Sequence, residues 1–337
     1  MKLEGTILRG PEFEPVEGRV VVEDDEIVAI EEADVESDDI VCPAFVNAHT
    51  HVGDSIAKEA GRGLSLEELV APPDGLKHRL LRQTGREEKV EAIHRSLRFM
   101  QQSGTARFLE FREGGVEGVE ILRDALGDLA IDPFVLGREE TEVLDVADGF
   151  GASGAADADF SRERNATREA GKFFAIHAGE VGPEDIHPAL DLDPDLLVHM
   201  VHADDVHLDR VEDSEIPVAV CPRSNLVTDV GTPPINELRE RTSVALGTDN
   251  VMLDSPSMFR EMEFAAKVCD VPAPAALHMA TRAGAEIIGS DAGLVEEGRP
   301  AELLVLDGDS DNLAGVRDPV RAVVRRAGTN DVKRVVL

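Results

Sequence analysis

The middle of the chain alternates short apolar runs with helical patterns, and this alternation restricts the fold more than any other feature. Seven runs have the length and composition of strands: 44–49, 106–111, 133–137, 173–177, 196–199, 218–221 and 243–247. Helical spacing of apolar side chains is clearest at residues 86–103 and 257–268. Strands that alternate with helices in this way indicate parallel βα units, and hence an α/β protein.

The two ends of the chain have a different pattern. Six short strands are predicted, three near each terminus: 2–8, 18–22, 26–30, 301–306, 322–326 and 332–337. We therefore expect a small β-domain assembled from residues 1–40 and 298–337, and a catalytic domain formed by residues 41–297. Within the catalytic domain, residues 143–161 lack periodicity and leave room for a short strand and a loop.

The charge of the chain is strongly one-sided. It has 68 acidic and 34 basic residues, for a formal net charge of -34. Such a field repels nucleic acid and anionic membrane surfaces, so neither is expected as a partner. An acidic, lysine-poor surface suits a halophilic protein, because salt at 1 M screens charges beyond about 3 Å. An acidic protein of ordinary cytosol is the simpler alternative.

Cysteine usage and apolar run length both indicate a cytoplasmic protein. The three cysteines, Cys42, Cys221 and Cys269, lack CxxC spacing, which argues against a disulfide framework and a thiolate metal site. Met1 leads directly into a predicted strand, so no signal peptide is expected. No apolar run approaches the 18 residues of a membrane span. The sequence leaves a homo-oligomer open.

His49 and His51 end an apolar run that has the character of a buried parallel strand. Side chains two residues apart on a strand point the same way, so both imidazoles face one side, about 6.6 Å apart along the strand axis. Imidazole suits zinc and ferrous iron. Two surface histidines would be the simpler explanation of such a pair, but the preceding hydrophobic strand favours a metal site.

Three further strand ends carry polar residues that suit hydrolytic chemistry. The segment FFAIHAGE delivers His177 and then Glu180, a candidate proton shuttle, although a glutamate that merely starts a helix fits as well. The segment LLVHMVH offers His199 or His202, and His199 is favoured because it follows the apolar run directly. The segment VALGTDN delivers Asp249, whose burial would require a metal or a proton partner.

Together these segments resemble the amidohydrolase superfamily, and within it the deaminases of adenosine, guanine, cytosine and S-adenosylhomocysteine. The matching segments span nearly the whole chain: CPAFVNAHTH, FAIHAGE, LVHMVHADD, VAVCPRSN, VALGTDN and AGLVEEGRPAELLVLD. The resemblance implies a (β/α)8 TIM barrel with a small β-sandwich domain supplied by both termini.

The resemblance also implies the roles of the site residues. The metal ligands would be His49, His51, His177 and Asp249. Glu180 would be the acid–base residue, Asp249 would also accept a water proton, and His199 would hydrogen-bond the metal-bound water. The bridging lysine of binuclear members has no evident counterpart, because Lys172 precedes its strand. One divalent metal is therefore implied, Zn²⁺ ahead of Fe²⁺, with metal-bound hydroxide as the nucleophile.

The sequence constrains the substrate less. Arg112 and Arg138 could meet an anionic group, although structural ion pairs are the simpler interpretation in so acidic a protein. Asn250 and Ser255 could contact a base edge, and His202 is a further candidate. The expected reaction is hydrolytic deamination of a nucleobase, nucleoside or related heterocycle. Hydrolysis of a cyclic amide or a C–halogen bond is the enzymatic alternative, and a catalytically silent, metal-stabilised scaffold is the non-enzymatic one.

Overall fold

The computed structural model describes residues 1–70 and 74–337. Within these residues the chain forms fifteen strands: β1 Lys2–Arg9, β2 Glu14–Glu23, β3 Glu26–Glu32, β4 Ile40–Pro43, β5 Phe45–His51, β6 Thr105–Arg112, β7 Asp132–Gly137, β8 Gly149–Gly154, β9 Phe173–Ala178, β10 Leu196–His199, β11 Val218–Val220, β12 Val244–Leu246, β13 Asp249–Asn250, β14 Leu303–Leu306 and β15 Val332–Val336.

The same residues form thirteen α-helices: α1 Leu66–Val70, α2 Leu76–Gln83, α3 Arg86–Gln102, α4 Gly115–Leu126, α5 Ser161–Ala170, α6 Ile186–Asp191, α7 Asp205–Ser214, α8 Pro222–Val227, α9 Ile235–Arg239, α10 Met258–Val268, α11 Ala273–Met279, α12 Arg282–Ile287 and α13 Pro319–Arg325. Short 3₁₀ turns occur at Val52–Ala57, Thr141–Asp145, Pro183–Asp185 and Thr329–Asp331. Among the described helices, none is both long enough and apolar enough to cross a membrane.

Strands from both termini pair into one six-stranded sheet, as expected for the small β-domain. Its order is β15-β14-β4-β1-β2-β3, in which β1 and β4 are parallel and all other neighbours are antiparallel. Alternate side chains of β1 to β3, such as Leu3, Ile7, Val20 and Ile27, are buried in one apolar cluster. Strand β4 belongs to this sheet, and the barrel begins directly after it with β5.

The strand predicted at residues 322–326 is wrong, because these residues end helix α13 and lead out of it. Asp318 caps the helix by accepting a backbone hydrogen bond at 2.9 Å, and Pro319 occupies the first turn, where its missing N–H costs little. Three valines at helical spacing are buried beside α10 and α11: Val320, Val323 and Val324. The cap and this packing outweigh the preference of valine for strands.

The middle of the chain forms a closed barrel of parallel strands. Each strand from β5 to β12 pairs in parallel with the next, and β13, which continues β12, pairs in parallel with β5. The backbone N–H of Thr248 donates to the carbonyl of His49 at 3.0 Å across this closing seam. Strands β12 and β13 together act as the eighth strand, and the predicted (β/α)8 barrel is confirmed.

Strand β8 lies in the stretch for which the sequence pattern was unclear. Its sequence is GFGASG, and its glycines sit where a side chain would collide with a neighbour. A Cβ at Gly149 would lie 2.1 Å from the carbonyl oxygen of Phe173, and one at Gly151 would lie 2.5 Å from the ring of Phe111. Strand β8 needs glycine at these positions because β9 and the side chain of Phe111 on β6 approach its backbone closely, so it lacks the apolar alternation by which a strand is normally recognised.

Candidate metal centre and active site

The four side chains predicted as metal ligands converge at the C-terminal ends of the barrel strands, where active sites of this architecture lie. His49 and His51 end β5, His177 lies near the end of β9, and Asp249 begins β13. The imidazole of His49 lies 4.9 Å, centroid to centroid, from those of both His51 and His177. Asp249 Oδ1 is 3.3 Å from His49 Nε2 and 3.6 Å from His51 Nε2.

Hydrogen bonds orient two of these imidazoles with Nε2 free to bind a metal. His177 Nδ1 is 2.8 Å from the carbonyl oxygen of Ala152, which can only accept, so Nδ1 carries the proton. His51 Nδ1 is 2.9 Å from Glu113 Oε1 in the corresponding arrangement with a carboxylate. His49 is fully buried, and neither of its ring nitrogens makes a hydrogen bond within residues 1–70 and 74–337. A metal ion would satisfy this otherwise costly arrangement.

Asp249 is held through both of its carboxylate oxygens. Ser224 Oγ donates to Oδ2 at 2.6 Å, and the side-chain amide of Asn250 donates to Oδ1 at 2.9 Å. Burial alone would raise the pKa of Asp249, but the close approach of His49, whose Nε2 lies 3.3 Å from Oδ1, and of the other histidines holds this pKa well below its ordinary range. The backbone of Asp249 is left-handed, with φ of 56°, a strained conformation typical of functional positions.

Glu180 and His199 lie directly beside the ligand cluster. His199 Nε2 is 3.5 Å from Glu180 Oε2, and the His199 ring is 5.3 Å from that of His177. Asn225 Nδ2 is 3.1 Å from His199 Nδ1. An amide nitrogen only donates, so Nδ1 accepts and the imidazole proton sits on Nε2, facing the site. His199 is thus prepared to donate a hydrogen bond, although its Nε2 is close enough to serve as a ligand.

Burial sets the protonation of the site. It lowers the pKa of His51 to about 3 and also lowers the pKa values of His49 and His177, so these imidazoles stay neutral, as metal binding requires. The side chain of Glu180 is 21% exposed, and burial raises its pKa above that of a free glutamate. Its carboxyl group therefore holds a proton more readily at neutral pH.

The donor set fits a single divalent transition-metal cation. Neutral histidines with one carboxylate are typical zinc ligands, and one ligand atom from each of His49, His51 and Asp249 lies within 4.8 Å of the others. Lys172 precedes β9, and its amine donates at 2.6 Å to the carbonyl of Ala147. This lysine is therefore engaged elsewhere and does not bridge two ions at the cluster.

The cluster opens into a cavity of about 890 Å³. His51, His177, His199, Glu180 and Asp249 all line it. Basic side chains form one part of the wall, namely Lys77, His78 and Arg138, and acidic side chains form another, namely Asp157, Glu184 and Asp185. The wall of the cavity therefore carries charged side chains of both signs, and Glu113 lies among the basic ones, in contact with Lys77 and Arg138.

Two of the five residues predicted to contact substrate line this cavity. Asn250 lines the cavity next to Asp249 in the chain. Arg138 also lines it: its Nη1 is 3.4 Å from Glu113 Oε1, and 13% of its side chain remains exposed. His202 is half-buried and outside the cavity lining, which leaves His199 as the histidine of this segment that faces the site.

The structure places the other two predicted contacts away from the cavity. Arg112 is buried against Gly53, donates from Nε to the carbonyl of Gly118 at 2.9 Å, and borders a neighbouring cavity of about 920 Å³. Ser255 accepts from Arg223 through its carbonyl and from Arg260 through Oγ. Arg112 Nη1 also lies 3.8 Å from Glu110 Oε1, which favours the ion-pair interpretation of this arginine.

Several groups around the ligands were not singled out from the sequence. Glu113 directly follows the end of strand β6, and the candidate histidines also lie at strand ends. Its position in the chain is therefore a signal from which Glu113 could be predicted as a site residue. Ser224 and Asn225 belong to the segment VAVCPRSN, but only the structure shows that they support Asp249 and His199. Lys77, on α2, has no local signal of this kind.

Comparison with known proteins gives the family. The amidohydrolase family profile matches residues 40–191 and 141–337. A relative from Methanothermobacter thermautotrophicus with a provisional aminohydrolase name is 36% identical over 377 residues, covering 99% of this chain and 96% of the relative. The 5-methylthioadenosine/S-adenosylhomocysteine deaminase of Halobacterium salinarum is 26% identical over 399 residues, covering 100% and 90%.

Solved structures of the same fold include metal-bound enzymes. A zinc-bound adenosine deaminase from Xanthomonas campestris matches with a TM-score of 0.78 at 18% identity, over 100% of this chain and 91% of that one. A zinc complex of atrazine chlorohydrolase from Arthrobacter aurescens matches with a TM-score of 0.82 at 17% identity, over 100% and 93%. At such identities these likenesses show the fold alone.

The closed barrel, with histidines and an aspartate at its strand ends, defines the class as a barrel hydrolase. The family profile and the full-length relatives then give the particular family. The chain belongs to the amidohydrolase family and is a hydrolase of C–N bonds other than peptide bonds.

Proposed function

We propose that this protein is a zinc-dependent aminohydrolase that deaminates a heterocycle of the nucleobase or nucleoside class. The observation that carries the proposal is the grouping of Glu180, His199 and Asp249, whose ligand atoms lie within 4.8 Å of one another beside the histidine cluster. Proton acceptor, hydrogen-bond donor and proton donor are thus gathered around one point, as hydrolytic deamination requires.

His49, His51, His177 and Asp249 would hold the zinc ion, with ferrous iron as the alternative. When bound there, the cation would supply hydroxide at neutral pH, because coordination to such a metal lowers the pKa of water to about 7. Asp249 accepts the proton that this water releases. His199 donates from Nε2 to the oxygen of the nucleophile and so holds it against the substrate.

Glu180 provides the proton on the substrate side. A new C–O bond forms at the ring carbon that carries the amino group, while Glu180 transfers its proton to the adjacent ring nitrogen. Asp249 then passes its proton to the amino group, the C–N bond breaks and ammonia leaves. The hydroxyl proton of the intermediate returns to Glu180, which leaves a ring carbonyl and restores the enzyme.

The cavity supports a substrate larger than a free base. Its volume of about 890 Å³ lies near the upper end of the range for small-molecule sites. Arg138 and Asn250 are the basic and amide side chains placed to contact such a substrate. The deaminase of Halobacterium salinarum, which acts on thioether nucleosides by its name, supports nucleosides as the first substrates to test.

The test is ammonia release across purines, pyrimidines, their nucleosides and thioether nucleosides, with zinc measured on the same sample. Glu180→Gln should retain zinc and lose roughly 10²–10⁴-fold in turnover, the usual contribution of a general acid–base residue. Glu88→Gln is the matched control, because Glu88 is exposed and is not among the residues that line the cavity.

Full activity of Glu180→Gln would remove this residue from the mechanism. Zinc-loaded protein that releases no ammonia from the panel would refute deamination. Chloride release from a chlorotriazine, or ring opening of a cyclic amide, would then identify the alternative hydrolase. Inactivity on all three classes would favour a metal-stabilised scaffold.

We also propose that the protein works in the cytoplasm of a cell with concentrated internal salt. The support is its net charge of -34, which salt would screen. The same charge argues against binding to nucleic acid or to an anionic membrane, and the substrate is proposed to be a small molecule. Assays should therefore be run in molar KCl as well as in dilute buffer.

A further inference from the structure

Lys77 is a buried lysine at the wall of the active-site cavity. Only 3% of its side chain is exposed. Its Nζ is 2.6 Å from Glu113 Oε1 and donates to Asn250 Oδ1 at 3.1 Å. Asp54 Oδ2 lies 3.9 Å from the same nitrogen. One ammonium group thus contacts three segments of the barrel mouth, namely the turn after β5, the end of β6 and strand β13.

Two of these contacts lead directly to proposed metal ligands. Glu113, through the oxygen that contacts Lys77, also faces Nδ1 of His51 at 2.9 Å. Asn250, which accepts from Lys77, donates to Oδ1 of Asp249 at 2.9 Å. The ligands His51 and Asp249 are therefore connected to the same cation, each through a single side chain.

Helix α2, which carries Lys77, depends on tertiary contacts to form. It has eight residues, and isolated helices shorter than about 12–15 residues are marginal in water. Within α2 only Lys77 and Leu81 have buried side chains, while Leu76 and Leu80 pack partly against a small apolar cluster. The contacts of Lys77 are thus a large part of what docks this helix.

We propose that Lys77 is a positioning residue that couples helix α2 to the metal centre, by holding Glu113 against His51 and Asn250 against Asp249. Docking of α2 then favours the ligand geometry, and by reciprocity a bound cation favours the docked helix. The inference rests on the proposed metal centre and is independent of the substrate and of the reaction.

The experiment uses the full-length protein, stripped of metal and titrated with Zn²⁺ against a chromophoric chelator. The variant Lys77→Met keeps most of the aliphatic stem of the lysine and removes its charge. Its Zn²⁺ dissociation constant should be about 10–100-fold higher than that of the wild type, as for other residues that orient metal ligands. Amide hydrogen exchange is measured for residues 76–83 in parallel. Zn²⁺ should slow this exchange in the wild type and have little effect on it in Lys77→Met.

Two further variants make the outcome decisive. Lys58→Met removes an exposed lysine from the same region and should behave as the wild type in both measurements. If Lys77→Met fails to fold because Glu113 loses its lysine partner, the same change is made in Glu113→Gln, where no buried carboxylate loses a charge partner. In the Glu113→Gln background, Lys77→Met should raise the Zn²⁺ dissociation constant by less than the 10–100-fold expected for Lys77→Met in the wild type.

Wild-type zinc affinity in the lysine variant would overturn the proposal, as would equal protection of α2 by Zn²⁺ in both proteins. Fully additive effects of Lys77→Met and Glu113→Gln would also contradict it. None of these readouts requires turnover. A failed deaminase assay therefore leaves the coupling testable, and a failed coupling leaves the proposed reaction open.

Discussion

Glu261 links the stability of the barrel to the geometry of the site. It lies on α10, is fully buried, and contacts Arg223, the residue before Ser224 and Asn225. Its Oε1 accepts from the backbone N–H of Arg223 at 3.1 Å, and its Oε2 lies 3.2 Å from Arg223 Nε. Burial outweighs the favourable charge of Arg223 and raises the pKa of Glu261 from 4.5 to about 7.

The sign of the effect follows from this raised pKa. Below about pH 4.5 the carboxyl group is protonated in the folded and unfolded chains alike. Between about pH 4.5 and 7 the unfolded chain loses its proton while the folded chain keeps it, so the free energy of unfolding falls as pH rises. One pKa unit corresponds to about 1.4 kcal/mol, so Glu261 should cost roughly 3 kcal/mol by pH 7.

The assay is urea unfolding of the wild type and Glu261→Gln in 2 M KCl at several pH values. Glutamine is neutral throughout, and the other titrating groups largely cancel in the difference. The free energy of unfolding of the wild type minus that of the variant should fall by roughly 3 kcal/mol between pH 4.5 and 7, and then level off. A constant difference, or one that rises with pH, would show that Arg223 compensates the buried charge and would refute the reasoning.

Two further predictions concern the ligands and the surface. Ser224→Ala removes the hydroxyl that donates to Asp249 Oδ2. In chelator competition its Zn²⁺ dissociation constant should be about 10-fold or more above that of the wild type. An unchanged dissociation constant would contradict the supporting role of Ser224. Raising KCl from 0.1 to 2 M should raise the Tm in thermal unfolding, because salt screens the self-repulsion of a net charge of -34. A Tm that falls with salt would count against halophilic adaptation.

Local pattern was sufficient for most of the fold. The barrel strand that carries His49 and His51 was recognisable as an apolar run, and helix α3 as a periodic one. Strand β8 could not be recognised from the sequence, because its glycines make room for the neighbouring strand and for Phe111 and leave no apolar alternation. The valines of residues 322–326 suit a strand as well as a helix, and only their packing in the folded chain makes this segment helical.

The candidate site also contains residues that the sequence predicts and residues that it does not. A histidine or aspartate at the end of a buried strand is visible in a sequence, because parallel strands deliver their C-terminal ends to one face of the barrel. The partners of those residues are not visible. Glu113 reaches His51 across 62 positions of the chain, and Lys77 reaches Asn250 across 173.

The class of fold, the candidate ligands at the strand ends and the candidate acid after His177 could all be predicted from the sequence, because each prediction depends on residue type and spacing within one segment. Three other features needed the folded structure: which histidine of the segment LLVHMVH faces the site, which nitrogen of His199 carries the proton, and which arginine reaches the cavity. Those choices depend on hydrogen bonds and burial between segments distant in the chain, and closure of the barrel is what brings them together.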